Sequence, residues 1–231
     1  ARYAANDATL WRAGTALATL CAGFALWLGP RAAYSLDLAL ALLGLWPALC
    51  LREPVRETDA GSTARRIGGA VRQSADFLLH SPRALRLMLC DAAVGAVATM
   101  LLFLLQARLP ALGLPGAWLG PALFLLGLSG TLGAQAARFF GRLRYRQLAL
   151  LCAGGVLAGT LLAASGWLPV VFAGGFLAGM LDDLLAVRTD VALNGMIPSG
   201  QRATLVSVSS LVFSLVMLAA APLMGAAFGA L

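Results

Sequence analysis

Lysine is absent from all 231 residues, and histidine occurs once, at His80. Without an amine side chain, a retinal-type Schiff base cannot form. With a single imidazole, two-histidine metal sites are excluded as well. Cysteine occurs four times, at Cys21, Cys50, Cys90 and Cys152, each in a different apolar run and never as CxxC. That spacing predicts buried free thiols and argues against a thiolate metal site. Charge is also scarce: 12% of residues are Asp, Glu or Arg. A soluble domain carries roughly a quarter, so this chain has half of what water demands.

What fills the chain is apolar. Hydrophobic residues make up 60%, and the mean hydropathy is +0.85. Seven apolar runs of membrane-crossing length lie at 11–29, 32–51, 85–109, 116–138, 147–165, 167–187 and 203–226. Lipid offers no water to unpaired backbone groups, so each run is predicted to be a helix. The predicted fold class is an all-α integral membrane protein, a polytopic bundle of seven transmembrane helices.

The net charge of +7 comes from 17 arginines, and most of them sit between the runs. The gap 52–86 holds seven, the gap around 138–146 holds four, and the gap before the last run holds Arg188 and Arg202. The alternate gaps hold only Arg31, Arg108 and, at Ser165–Leu168, none. This alternation places the N-terminus in the cytoplasm and the C-terminus outside. It also assigns the basicity to cytoplasmic loops of a multi-pass inner-membrane protein; the partner expected is the lipid bilayer, not nucleic acid. Trp27, Trp118 and Trp167 fall near the expected outer face, where indoles sit well. The long gap 52–84 separates two runs from five. Its stretch "STARRIGGAVRQSADFLLHSP" reads either as a surface helix or as a solvated linker.

Polar residues inside the runs are the candidate site residues, since ionisable groups in a bilayer are costly. Asp91, Gly95, Ala98, Leu102 and Gln106 share one face of the third run. This face reads as a substrate or proton pathway, or as an interfacial Asp satisfied by Arg86 or a cap. Asp182, Asp183 and Asp190, with Arg188 and Arg202, read as a charge network or gate at the cytoplasmic mouth. Gly127, Gly130, Thr131, Ala134 and Gln135 form a small, weakly polar face. Gly155/Gly159 and Gly175/Gly179 have GxxxG spacing, which favours close helix packing. Thr204, Ser207, Ser210 and Ser214 share a face of the last run that is either adhesive or cavity-lining. No catalytic set assembles, so no enzyme is expected. "GLSG" at Gly127–Gly130 has the GxSG form of an intramembrane serine nucleophile, but His80 lies in a loop. Neither GxxxxGK[ST] nor HExxH occurs.

Several short motifs carry a resemblance. "LN" at Leu193–Asn194, "IP" at Ile197–Pro198 and "RATLVSVSS" at Arg202–Ser210 resemble the turn between the tenth and eleventh helices of major facilitator superfamily transporters. "PLMG" at Pro222–Gly225, "LREP" at Leu51–Pro54 and "RFFGRLRYR" at Arg138–Arg146 resemble the end of the eleventh helix, the exit of the sixth and the basic loop between the eighth and ninth. The chain is thus similar to helices five to eleven of twelve. Residues 1–51 would end the N-terminal half-bundle, 52–84 would be the central cytoplasmic loop, and 85–231 would open the C-terminal half-bundle.

The resemblance implies a secondary transporter of a small solute, such as a drug or metabolite exporter, working by alternating access. It needs no bound cofactor, and coupling would be to a proton or sodium. The remaining helices of the full-length chain would be partners. Asp91, Gln106, Gln135, Ser207 and Ser214 would line the pathway, and Asp183, Asp190, Arg188 and Arg202 would form the gate. Antiporters of this family carry a Gly-Pro motif in the fifth helix; here Gly14 and Gly23 keep part of the spacing and Gly29-Pro30 stands at the helix end. The other reading is a non-transporting polytopic protein, an assembly subunit or sensor.

Overall fold

The structure is a computed structural model. It describes residues 9–11, 13–15, 18–20, 29–50, 81–196 and 202–229, without the side chains at 30, 33, 47–48, 202–205 and 227–229. Every regular element among them is helical: α1 (Pro30–Cys50), α2 (Pro82–Ala111), α3 (Gly116–Ala136), a 3-10 turn (Phe139–Arg142), α4 (Tyr145–Ala163), α5 (Leu168–Asn194) and α6 (Arg202–Gly229). Helices α2 to α6 are each long and apolar enough to cross a membrane, which points to a membrane-embedded protein. The apolar part of α1, Tyr34–Trp46, is shorter. The run expected at 11–29 lies largely outside the described residues. The surface-helix reading of the central loop, with His80, lies outside them except at Ser81 and Pro82; the loop expected to reach residue 84 ends earlier, because Pro82 already opens α2.

Local chemistry sets the helix ends. Pro82 occupies the first turn of α2, where its missing N–H costs nothing. Gly113, at φ +93°, makes the turn from α2 to α3, a conformation that strains any residue with a Cβ. At the start of α4, Gln147 folds back so that its Oε1 accepts from the Arg144 N–H at 3.3 Å. One end differs from expectation: α5 continues two turns past residue 187, to Asn194. Arg188 and Asp190 read as loop because they are charged, yet they belong to the helix. Leu193 explains the extension, being buried against α2 and α6.

Helix α5 is the centre of the bundle. It packs on α2, α3 and α4, while α6 packs on α2. Glycines permit the closest approaches. A Cβ on Gly133 would overlap the Met180 carbonyl of α5, and Gly159 of α4 and Gly174 of α5 stand backbone to backbone. Gly155 receives Leu181, Gly175 receives Leu105 and Leu126, and Gly179 receives Ser129. Ser129, from the "GLSG" stretch, is fully buried, and its hydroxyl donates to the Leu126 carbonyl at 2.6 Å. The outer faces stay apolar: Leu38, Leu42, Leu43, Leu161 and Leu218 are all exposed. In lipid such exposure has no hydrophobic cost. Of the cysteines, Cys152 is buried as expected but Cys50 is exposed, because α1 buries little of its surface.

Arg108, in the last turn of α2, ties this helix to the α4–α5 hairpin. Its Nη2 donates to the carbonyls of Ala164 (2.8 Å) and Ser165 (3.2 Å). These carbonyls end α4, so a cation there also meets the negative end of that helix. Arg108→Gln should lower stability by about 2 kcal/mol, the range for hydrogen bonds to a charged group. Melting in detergent checks this. Arg108→Lys should recover only part of the loss, since an ammonium lacks the planar fork.

Candidate functional site: a polar seam between α2 and α5

Helices α2 and α5 run antiparallel, which sets two polar steps side by side. At the first, Thr189 of α5 donates to Asp91 Oδ1 of α2 at 3.1 Å. The same hydroxyl lies 3.0 Å from the Leu185 carbonyl and 2.8 Å from Tyr145 OH of α4. Thr189 is buried and Asp91 half-buried. At the second step, two turns of α5 away, Asp182 approaches Gly95 of α2: a Cβ on Gly95 would lie 3.3 Å from Asp182 Oδ1 and 3.4 Å from Phe213 of α6. Gly95 thus lets a carboxylate reach the backbone of α2.

Beyond Gly95 the seam opens into a cavity of about 80 Å³ between α2, α3 and α5. Asp182 and Asp183 line it from α5, Ala98, Thr99 and Leu102 from α2, and Gly127 and Gly130 from α3. Asp183 is buried. Counted from the end of α5, it lies eleven residues in, about 17 Å along the axis. Asp91 lies nine residues into α2, about 14 Å. Both depths fall well inside a membrane-crossing helix. Asp183 and Asp190 stand within electrostatic reach of Asp91.

The sequence-predicted residues distribute unevenly around this seam. Asp91, Gly95, Ala98 and Leu102 lie along α5 or its cavity, whereas Gln106 is exposed and lies outside the cavity lining. The partner of Asp91 is Thr189; Arg86 is exposed and donates through Nε to the Pro82 carbonyl at 3.1 Å. Gln135 bonds through Nε2 to Thr9, tying the N-terminal segment to α3. Asp183 and Asp190 belong to α5 and both are engaged in interactions; Asp190 is exposed. The Arg188 Nε is buried, and the Arg202 side chain lies outside the described residues. On α6, Val208 and Val212 make the contact with α2, while Ser207 and Ser214 are exposed. The Ser214 hydroxyl donates to the Ser210 carbonyl one turn back, at 2.9 Å.

Two site residues, Tyr145 and Thr189, are not singled out by the sequence as site residues. Tyr145 opens α4, and Thr189 follows an arginine. Thr189 is seven residues from Asp182 and therefore shares its face; that spacing was the available clue. Among the described residues, no group of His, Cys, Asp and Glu has the arrangement of a metal site. In comparisons with family models, characterised proteins and solved structures, nothing matches the chain.

Proposed function

We propose that the protein is a secondary transporter of a small solute, related to the major facilitator superfamily and coupled to a proton or sodium. The observation that carries this reading is the set of carboxylates, Asp91, Asp182 and Asp183, placed deep in membrane-length helices and gathered along one seam. Ionisable groups at such depth are costly and mark ion or substrate pathways. The motifs around Arg138–Arg146 and Arg202–Ser210 support the same assignment.

Cavity size supports an ion, not the solute, as the occupant of the seam. At about 80 Å³ it accommodates an ion with a few waters. Drug-sized ligands need roughly 300–1,000 Å³. On this reading the seam serves the coupling ion, and the solute would be held between these helices and further helices of the full-length protein. Gln106, Ser207 and Ser214 are exposed and would face that larger cavity.

The test is reconstitution of the full-length protein in liposomes with a pH- or sodium-sensitive dye and a solute panel. Saturable, solute-dependent ion flux is expected. Absence of flux under both gradients, with folded protein, would favour the assembly-subunit reading. Orientation is tested separately in a cysteine-free background. Gly166→Cys should react with an impermeant maleimide in intact cells, and Phe139→Cys only after permeabilisation; both positions are exposed. The reverse pattern would invert the topology.

A further inference from the structure

We propose that the groove between α2 and α4 is a binding site for one anionic phospholipid. The groove holds about 560 Å³ and meets the carboxylate seam at Tyr145, which lines it. At its head stand Arg83 and Arg86 of α2 and Arg146 of α4, all exposed. Both helices begin here, at Pro82 and Tyr145, so two positive helix ends add to three guanidinium groups. Arg86 is oriented by its Nε bond to the Pro82 carbonyl, which leaves its Nη edge for a ligand.

The rest of the groove is apolar. Because α2 and α4 start at the same end, they run parallel, and the slot follows them away from the arginines. Leu87 and Cys90 line it on α2; Ala149, Leu150 and Ala153 line it on α4. From Arg83 to Cys90, and from Arg146 to Ala153, the axial length is about 10 Å. Head and slot together have that length, and a cationic head continuous with an apolar slot matches a phosphate-bearing headgroup continuous with the upper part of an acyl chain. A soluble anion would use the arginines and leave the slot unfilled. Basic pockets between transmembrane helices at the bilayer interface are suited to anionic headgroups.

The inference needs the helices to be in a bilayer but is independent of what the protein transports. Delipidated full-length protein in detergent is titrated with phosphatidylglycerol or phosphatidylcholine, and retained lipid is counted by native mass spectrometry. One phosphatidylglycerol per chain should be retained, and phosphatidylcholine should bind far more weakly. Each of Arg83→Gln, Arg86→Gln and Arg146→Gln should weaken phosphatidylglycerol about fivefold, and the triple variant about a hundredfold. Leu150→Glu, an exposed position with all three arginines intact, should also lose the lipid while leaving the melting temperature unchanged. Unchanged binding in the triple variant overturns the proposal, as does equal retention of the two lipids. Displacement of the lipid by excess inorganic phosphate would identify a soluble-anion site and overturn it too.

Discussion

Gly133→Ala should destabilise the bundle by about 3 kcal/mol or more, the upper range for overpacking a filled interface. The added methyl would overlap the Met180 carbonyl. That atom is backbone, so no side-chain rotamer relieves the clash, and α3 must move away from α5. Because α5 is also the support for α2 and α4, the displacement reaches the carboxylate seam. Gly154→Ala is the control: a Cβ there meets nothing within 4 Å. Its effect should be neutral or slightly stabilising, since alanine is the better helix former by up to about 1 kcal/mol. Melting of both variants in one detergent checks the pair. Similar melting temperatures would mean that α3 and α5 are not held at the described distance.

The same contrast shows what was legible in the sequence. Small residues at GxxxG spacing announced close packing, and Gly155, Gly159, Gly175 and Gly179 all have neighbours where a Cβ would sit. Gly133 lies outside such a pair and is nonetheless the tightest approach among the described residues. Its partner is a backbone atom 47 positions away, which no local pattern encodes. The apolar run 167–187 stops short of Asn194 because a charged residue at a helix end looks like a loop residue. Burial of Leu193, decided by α2 and α6, outweighed that signal. The serine face of α6 is conspicuous in sequence, yet the contact with α2 includes Val208, Val212 and Phe213. Hydroxyls that bond back to their own helix, as Ser214 does, need no neighbour and so predict none.

On the transporter reading, Asp91→Asn should abolish solute accumulation and its pH dependence in the full-length protein, at undiminished membrane expression. The amide keeps an oxygen where Asp91 Oδ1 accepts from Thr189, so the packing of α2 on α5 should survive. Only the ability to take up and release a proton is lost. The hydrogen bonds of the seam fit the proposed exchange. When Asp91 is ionised, the Thr189 hydroxyl donates to it. When Asp91 is protonated, the acid donates to Thr189, whose own proton turns to the Leu185 carbonyl at 3.0 Å. Both states leave the hydrogen bond between the two residues satisfied, which a fixed donor such as arginine would not allow. Thr189→Val removes this pivot and leaves Tyr145 OH and Asp91 each short of a partner, at a cost of about 1–3 kcal/mol. It should therefore lower the melting temperature as well as transport, whereas Asp91→Asn lowers transport alone. If Asp91→Asn melts as early as Thr189→Val, or transports like the parent, the carboxylate is only structural. The proposed proton pathway would then be left with Asp182 and Asp183, the two carboxylates that line the cavity itself.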